Sequence, residues 1–242
     1  MATEIRRTFH QELDQLRDDM IRLAGMVTEA LAAGTASLLA GDLQAAEALI
    51  NGDDEIDELS LEIEEHCFRL LALQNPLASD LRQIIAAIRM SSEIERSGDL
   101  VTNIMKAARR LYGTPLDPRI RGLLEQMSEH VHRLFRLAID AYADRNEGLA
   151  AALDDMDDDV DELHSDYIRA IFEVYEDGNA PLQVAVQLAL VGRYYERIGD
   201  HAVNIGERVR YMVTGWLPEH TGAARLAAKR AAHLPDDEGS HE

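Results

Sequence analysis

Apolar residues recur along most of this chain at intervals of three and four, the spacing of one face of an α-helix. Leu49, Ile56, Leu59, Ile63 and Cys67 form one such stripe, and Leu81, Ile84, Ile85 and Ile88 form another. Gly, Asp, Asn and Pro punctuate the pattern and divide it into six segments. The breaks fall near Gly41-Asp42, at Asn75-Pro76, across Gly113 to Pro118, near Asp144 to Asn146, across Asp177 to Pro181, and after Gly215. Segments of roughly 25 to 35 residues are longer than ordinary globular helices and typical of bundles. After Trp216-Leu217-Pro218 the sequence GAARLAAKRAAHLPDDEGSHE loses clear patterning, so residues 218–242 are expected to form a mobile tail.

The pattern is written twice. ERSGDLVTNI at 95–104 returns as ERIGDHAVNI at 196–205, 101 positions later. DDEIDEL at 53–59 returns as DDDVDEL at 157–163, an offset of 104, and Pro76-Leu77 returns as Pro181-Leu182. The expected architecture is all-α: two tandem pseudo-symmetric three-helix bundles, residues 1–113 and 114–217, each with a core of its own. The third helix of the second copy should be a few residues shorter ahead of its motif.

Each copy carries two acids four apart on its second helix and two more four apart on its third. They are Asp53, Asp57, Glu95 and Asp99, then Asp157, Asp161, Glu196 and Asp200. Residues four apart share a helix face, so each pair projects to one side. Helices joined by a tight turn run antiparallel, and residues equidistant from the turn lie level. Asp53 and Asp99, like Asp57 and Glu95, are equidistant from Pro76; the second set is centred between Gly178 and Asn179. Four carboxylates therefore reach one level in each copy, about 28 Å from the hairpin at ~1.5 Å per residue. Glu95 and Asp99 continue the apolar stripe of Leu81 to Ile88 and should face inward or toward a neighbouring helix. Ala185, Ala189, Gly192 and Gly199 lie near Glu196 and Asp200, small residues that let another backbone come close.

Acids four apart on a helix are ordinarily a solvated face, paired with cations such as Arg96, Arg193 or Arg197, and several acids of DDMDDDVDE at 154–162 must be solvated in any case. Burying like charges together without compensation costs several kcal/mol per ion, which a cation removes. Oxygen donors without Cys or His pairs suit hard ions, Mg, Mn, Fe or Ca, rather than Zn or Cu. The eight acids are thus candidate metal ligands. Asn103 and Asn204 continue the spacing and are candidates for an added ligand or a hydrogen bond behind the ligands. His201, next to Asp200, should face elsewhere and lie at the surface.

The net charge of -21 disfavours nucleic acid and anionic lipid as partners. The single cysteine, Cys67, excludes an internal disulfide and reads as a small buried hydrophobe. The first residues lack the apolar region of a secretion signal, and the longest charge-free stretch, 179–192, is too short to span a bilayer, so a cytoplasmic location is expected. No glycine-rich phosphate loop or nucleophile elbow appears. A di-iron or di-manganese carboxylate enzyme would need Glu-x-x-His on two helices, and Glu129 to His132 is a single match outside the motif helices. A metal-free interaction scaffold is the other alternative.

The duplicated ER-x-GD-x3-N-I, QNPLASDLR at 74–82, and IDEL at 56–59 echoed by VDEL at 160–163 resemble the PhoU family of phosphate-transport accessory proteins over about residues 5–215. Ser97 and Leu100 depart from that family's isoleucine and aromatic or histidine in the first copy. The resemblance implies a tandem three-helix-bundle fold, frequent homodimers, cytoplasmic residence and no chemistry of its own. It implies a role linking the phosphate ABC transporter, through its ATPase PstB, to the histidine kinase PhoR, meeting the membrane through these partners only, and damping the phosphate-starvation response. It also implies multinuclear metal, often iron, at the eight acids named above.

Overall fold

A computed structural model of the chain describes residues 2–74, 76, 78–176 and 181–216. The hairpin residues Asn75, Leu77 and 177–180, and the tail expected at 218–242, lie outside the described residues. Among the described residues seven helices follow one another: α1 (Ala2–Ala40), α2 (Leu43–Asn51), α3 (Asp53–Gln74), α4 (Ala78–Leu111), α5 (Pro118–Asp144), α6 (Glu147–Glu176) and α7 (Leu182–Thr214). The described residues include no strand. The breaks fall where the punctuation places them. The one departure is the second helix, which divides at Gly52 into α2 and α3. Asp42 caps α2, its Oδ1 accepting from the amides of Gln44 and Ala45, and Gly52 ends it by donating to the Ala48 carbonyl. Glycine disfavours helix continuation, and the acids of Asp53-Asp54-Glu55 favour a fresh N-terminus there. Asp117 caps α5 with Pro118 in its first turn, and Arg145, at a φ of 52°, closes it in the left-handed region.

Helices α1 to α4 form one bundle and α5 to α7 the other, with α4 packed most extensively against α7. These two equivalent helices run antiparallel: Arg82 meets Met212, Glu93 meets His201 and Asn204, and Arg110 meets Gln187. Helix α7 reaches its motif after a shorter run than α4, as the two offsets require. The expectation of separate cores gives way to one continuous buried cluster. The cause is the extensive packing of α4 on α7, both of which contribute buried residues to that cluster, Met90 and Ile94 from α4 and Tyr195, Ile198 and Ala202 from α7. Buried hydroxyls lock the halves further, Thr35 Oγ1 lying 2.7 Å from both Ser128 Oγ and Tyr195 OH. Residues 6–40 of α1 are long and apolar enough to cross a membrane, yet Leu16, Leu23, Val27 and Leu31 are buried in the bundle core. Burial in the bundle accounts for that apolar content. Cys67 is fully buried, and burial pushes its thiol up to about 12.

Candidate metal centres

The hairpin register brings the four acids of the first half within electrostatic reach of one another, and in the second half does the same for Asp157, Asp161 and Asp200. Burial first, then Asp57 and Asp99, push the carboxyl of Asp53 above its usual range, while Thr102 and Lys106 pull it down. Burial followed by Asp99, Asp57 and Asp53 raises Glu95, and burial followed by Asp99 raises Asp57. All four first-half carboxylates therefore sense one another. In the second half, burial and the charges of Asp200, Asp161, Asp154 and Asp158 raise Asp157 to about 7.

Depth within the quartets is uneven. Asp53, Glu95, Asp157 and Glu196 are half-buried, whereas Asp57, Asp99, Asp161 and Asp200 are exposed. The inward face expected for Glu95 and Asp99 thus holds for Glu95 alone. Residue 99 lies about 40° further round the helix than residue 95, because four residues overshoot one 3.6-residue turn, and that drift carries it toward solvent.

Glycine sets how closely the acids on α3 and α6 approach the facing helix. A methyl group at Gly98 would stand 3.3 Å from Ile56 Cγ2 and 3.6 Å from Asp53 Oδ1; one at Gly199 would stand 2.5 Å from Asp157 Oδ1. The GD of each motif is therefore physical: the glycine admits the partner carboxylate to the helix surface, and the following Asp meets it. Gly192 does the same for Tyr167, whose ring carbons would lie 2.7 Å from an added methyl. The small-residue stripe of α7 lets α6 come close, as its sequence requires.

Two carboxylate oxygens in the second quartet are buried without a hydrogen-bond partner, Asp157 Oδ1 and Glu196 Oε2. The other oxygen of Glu196 pairs with Arg193. Among the described residues no three His, Cys, Asp or Glu side chains converge tightly enough to enclose an ion as they stand. The donor set nonetheless fits a hard cation: all-carboxylate, level across two helices, half in solvent, with orphaned oxygens that burial disfavours as anions. Asp53, Asp57, Glu95 and Asp99 would hold one centre and Asp157, Asp161, Glu196 and Asp200 the other.

The neighbours divide less symmetrically. Asn204 Nδ2 donates to Glu93 Oε2 at 3.2 Å and so serves the α4–α7 seam, not the quartet it follows in sequence; Asn103 is half-buried. His201 is buried rather than at the surface, its Nδ1 2.6 Å from Glu93 Oε2. Burial pushes Glu93 up, but the bonds from His201 and Asn204 outweigh it and hold the carboxyl below its usual range. The sequence reading missed Glu93, which no repeat marks: Tyr194 stands at its position in the second copy. His164, one turn beyond Asp161, was also missed; burial and then Arg193 lower its pKa, and its Nε2 has no partner. Of the family departures, Leu100 is core and Ser97 returns its hydroxyl to the Glu93 carbonyl at 2.8 Å. Glu129 and His132 line a separate groove between α1 and α5, away from both quartets.

Comparison with known proteins agrees with the duplicated all-α fold. The PhoU domain matches twice, at residues 20–108 and 124–209. The phosphate-specific transport system accessory protein PhoU homolog 1 of Mycobacterium tuberculosis is 34% identical over 215 residues, 88% of this chain and 96% of that protein. A homolog from Caulobacter vibrioides is 32% identical over 86% of this chain and 91% of its own length. Crystal structures of PhoU from Pseudomonas aeruginosa and of the phosphate transport system regulatory protein PhoU from Streptococcus pneumoniae both superpose with a TM-score of 0.81. The first is 30% identical and the second 29%; each covers 86% of this chain, which spans 100% and 98% of them respectively.

Proposed function

The chain belongs to the PhoU family, and from that premise we propose that it is a non-catalytic accessory protein of a phosphate-specific transport system whose acidic quartets bind hard metal ions. Its relatives are named as accessory or regulatory proteins, which supports a regulatory role over an enzymatic one. In this reading it works in the cytoplasm as a homodimer, contacts the transporter ATPase PstB and the kinase PhoR, and damps the phosphate-starvation response. The observation that carries the metal reading is Asp157. Its Oδ1 is buried without a partner against Gly199, amid four like charges, and only a proton or a cation removes that cost. When bound, Mg, Mn, Fe or Ca would supply positive charge to the carboxylates and tie α3 to α4 and α6 to α7. The protein's own groups set the level, the spacing and the approach.

The test pairs a cellular and a biophysical readout. In cells lacking the chain, the wild type should restore repression of a phosphate-starvation reporter at high phosphate. A variant carrying Asp99→Ala and Asp200→Ala should do so poorly at equal abundance. Protein purified without a metal-affinity tag should show metal by elemental analysis, and the double variant should lose metal and melting temperature together. Full repression by the double variant, with unchanged metal content, would leave only a scaffold whose acids bind nothing.

A further inference from the structure

Of the five buried side-chain nitrogen and oxygen atoms without a hydrogen-bond partner among the described residues, three lie along the seam between α6 and α7: Asp157 Oδ1, His164 Nε2 and Glu196 Oε2. The first and last belong to the second quartet; the imidazole stands outside it. Asp157, Asp161 and His164 fall within about 60° of one another on α6 at 100° per residue, so all three share one face. A methyl group at Gly192 would stand 3.2 Å from His164 Cδ2, the ring carbon bonded to Nε2. That edge of the ring therefore meets α7 one turn before Glu196. Arg193 and Asp161 are the charges that act on the ring, and Arg193 also pairs with Glu196. The Glu196 side chain is 12% exposed and that of Arg193 52%. An exposed guanidinium thus supplies positive charge beside an imidazole and a buried carboxylate, where a ligated ion would supply it instead. The first half repeats neither group: by the repeat offsets Ser60 stands at the position of His164, and Ser92 at that of Arg193.

We propose, on the cation reading of the quartets, that His164 Nε2 is a further ligand of the second centre beside Asp161 and Glu196, and that this centre selects a borderline transition ion such as Fe2+ or Zn2+. The first centre, built from carboxylates alone, keeps to Mg2+ or Ca2+. Donor chemistry separates the two. Imidazole nitrogen suits Fe2+ and Zn2+, whereas Mg2+ and Ca2+ take oxygen. Ligation also gives His164 Nε2 and Glu196 Oε2 the partners that burial otherwise denies them. With Arg193 on Glu196, no three ligands enclose an ion as they stand among the described residues. Withdrawal of the guanidinium frees that carboxylate to turn toward the imidazole. The step costs little, because an ion pair whose cation is half in solvent is weak. The duplicated acids thus serve two centres of different metal preference, set apart by one nitrogen donor.

The test uses the full chain, purified without a metal-affinity tag and stripped with a chelator. Zn2+ is titrated in competition with a chromophoric chelator, and Mg2+ by calorimetry. His164→Ser should weaken the tightest Zn2+ site about tenfold or more and change Mg2+ affinity less than about twofold. Long-range proton–nitrogen-15 NMR of the wild type reads ligation directly: the His164 Nε2 resonance should shift as Zn2+ saturates the protein and hold still in Mg2+. Unchanged Zn2+ affinity in a folded His164→Ser chain, or an Nε2 resonance that Zn2+ does not move, would overturn the proposal and leave both quartets as oxygen sites. Failure of the wild type to bind either ion would overturn the cation reading itself, and the proposal with it. Should His164→Ser not fold, the wild-type resonance decides alone, for the proposal if Zn2+ moves it and against if not.

Discussion

In the first half, the half-buried acid Asp53 has the Thr102 hydroxyl as a hydrogen-bond partner and Lys106 nearby. In the second, Val203 and Glu207 occupy those two positions of the repeated motif, and Asp157 keeps an oxygen buried without a partner. The helix seams differ in the same way. Helix α7 presents Gly192, Gly199 and Gly206 to α6, where α4 presents Ser91, Gly98 and Met105 to the helices it faces. The second half therefore packs its two motif helices more closely and leaves its inner carboxylate less compensated within the chain. Duplication preserved the acids while their surroundings diverged, so the quartet whose burial is costlier without a cation is the second one.

The largest expected break in this comparison is Gly192→Ala. Its methyl would enter the ring of the fully buried Tyr167, which cannot turn away, whereas Gly98→Ala meets only ordinary to tight contacts with Ile56. Thermal unfolding should show a loss of about 3 kcal/mol, roughly 8 °C, for the first and under about 1 kcal/mol for the second. Equal losses would remove the packing difference.

Next comes Asp157→Asn, measured in chelated protein. A folded-state pKa near 7 lies above the unfolded value of about 3.9. The folded protein then holds the extra proton between those values, and stability falls as pH rises through that window. The variant should be more stable than wild type by about 2 kcal/mol at pH 8, after discounting for partial exposure, and equal to it below about pH 4. Asp53→Asn should change less, because Thr102 and Lys106 already offset part of the cost of the Asp53 charge.

Glu93→Ala should cost about 1–2 kcal/mol by leaving His201 and Asn204 without their acceptor at the α4–α7 seam. That loss should fade as the medium is acidified through the carboxyl's depressed pKa. The smallest effect is an exchange of neighbours. Thr102→Val should raise the titration midpoint of Asp53 and Val203→Thr should lower that of Asp157, each altering stability by under about 1 kcal/mol and read by NMR.

The fold was largely legible in the sequence because its signals are local. Breaks at glycine and proline, stripes at helical period and a duplicated motif specify helices, hairpins and register. Level quartets followed from the turn positions alone. What sequence could not supply was depth. Asp57 and Glu95 share a level, but only packing makes one exposed and the other half-buried. The partner of His201 is Glu93, 108 positions away on the other half, and no spacing within one repeat encodes a contact between repeats. Merging of the two cores has the same origin.

The titration of the Asp157 carboxyl itself, followed by carbon-13 NMR in metal-free protein and again with excess Mg2+, bears most directly on the claim that these quartets are cation sites. The metal-free midpoint should lie near pH 7, and Mg2+ should move it down by two units or more. A midpoint near 4 under both conditions would mean that this carboxylate needs no counter-charge, and the account of the acidic rungs as metal centres would fail.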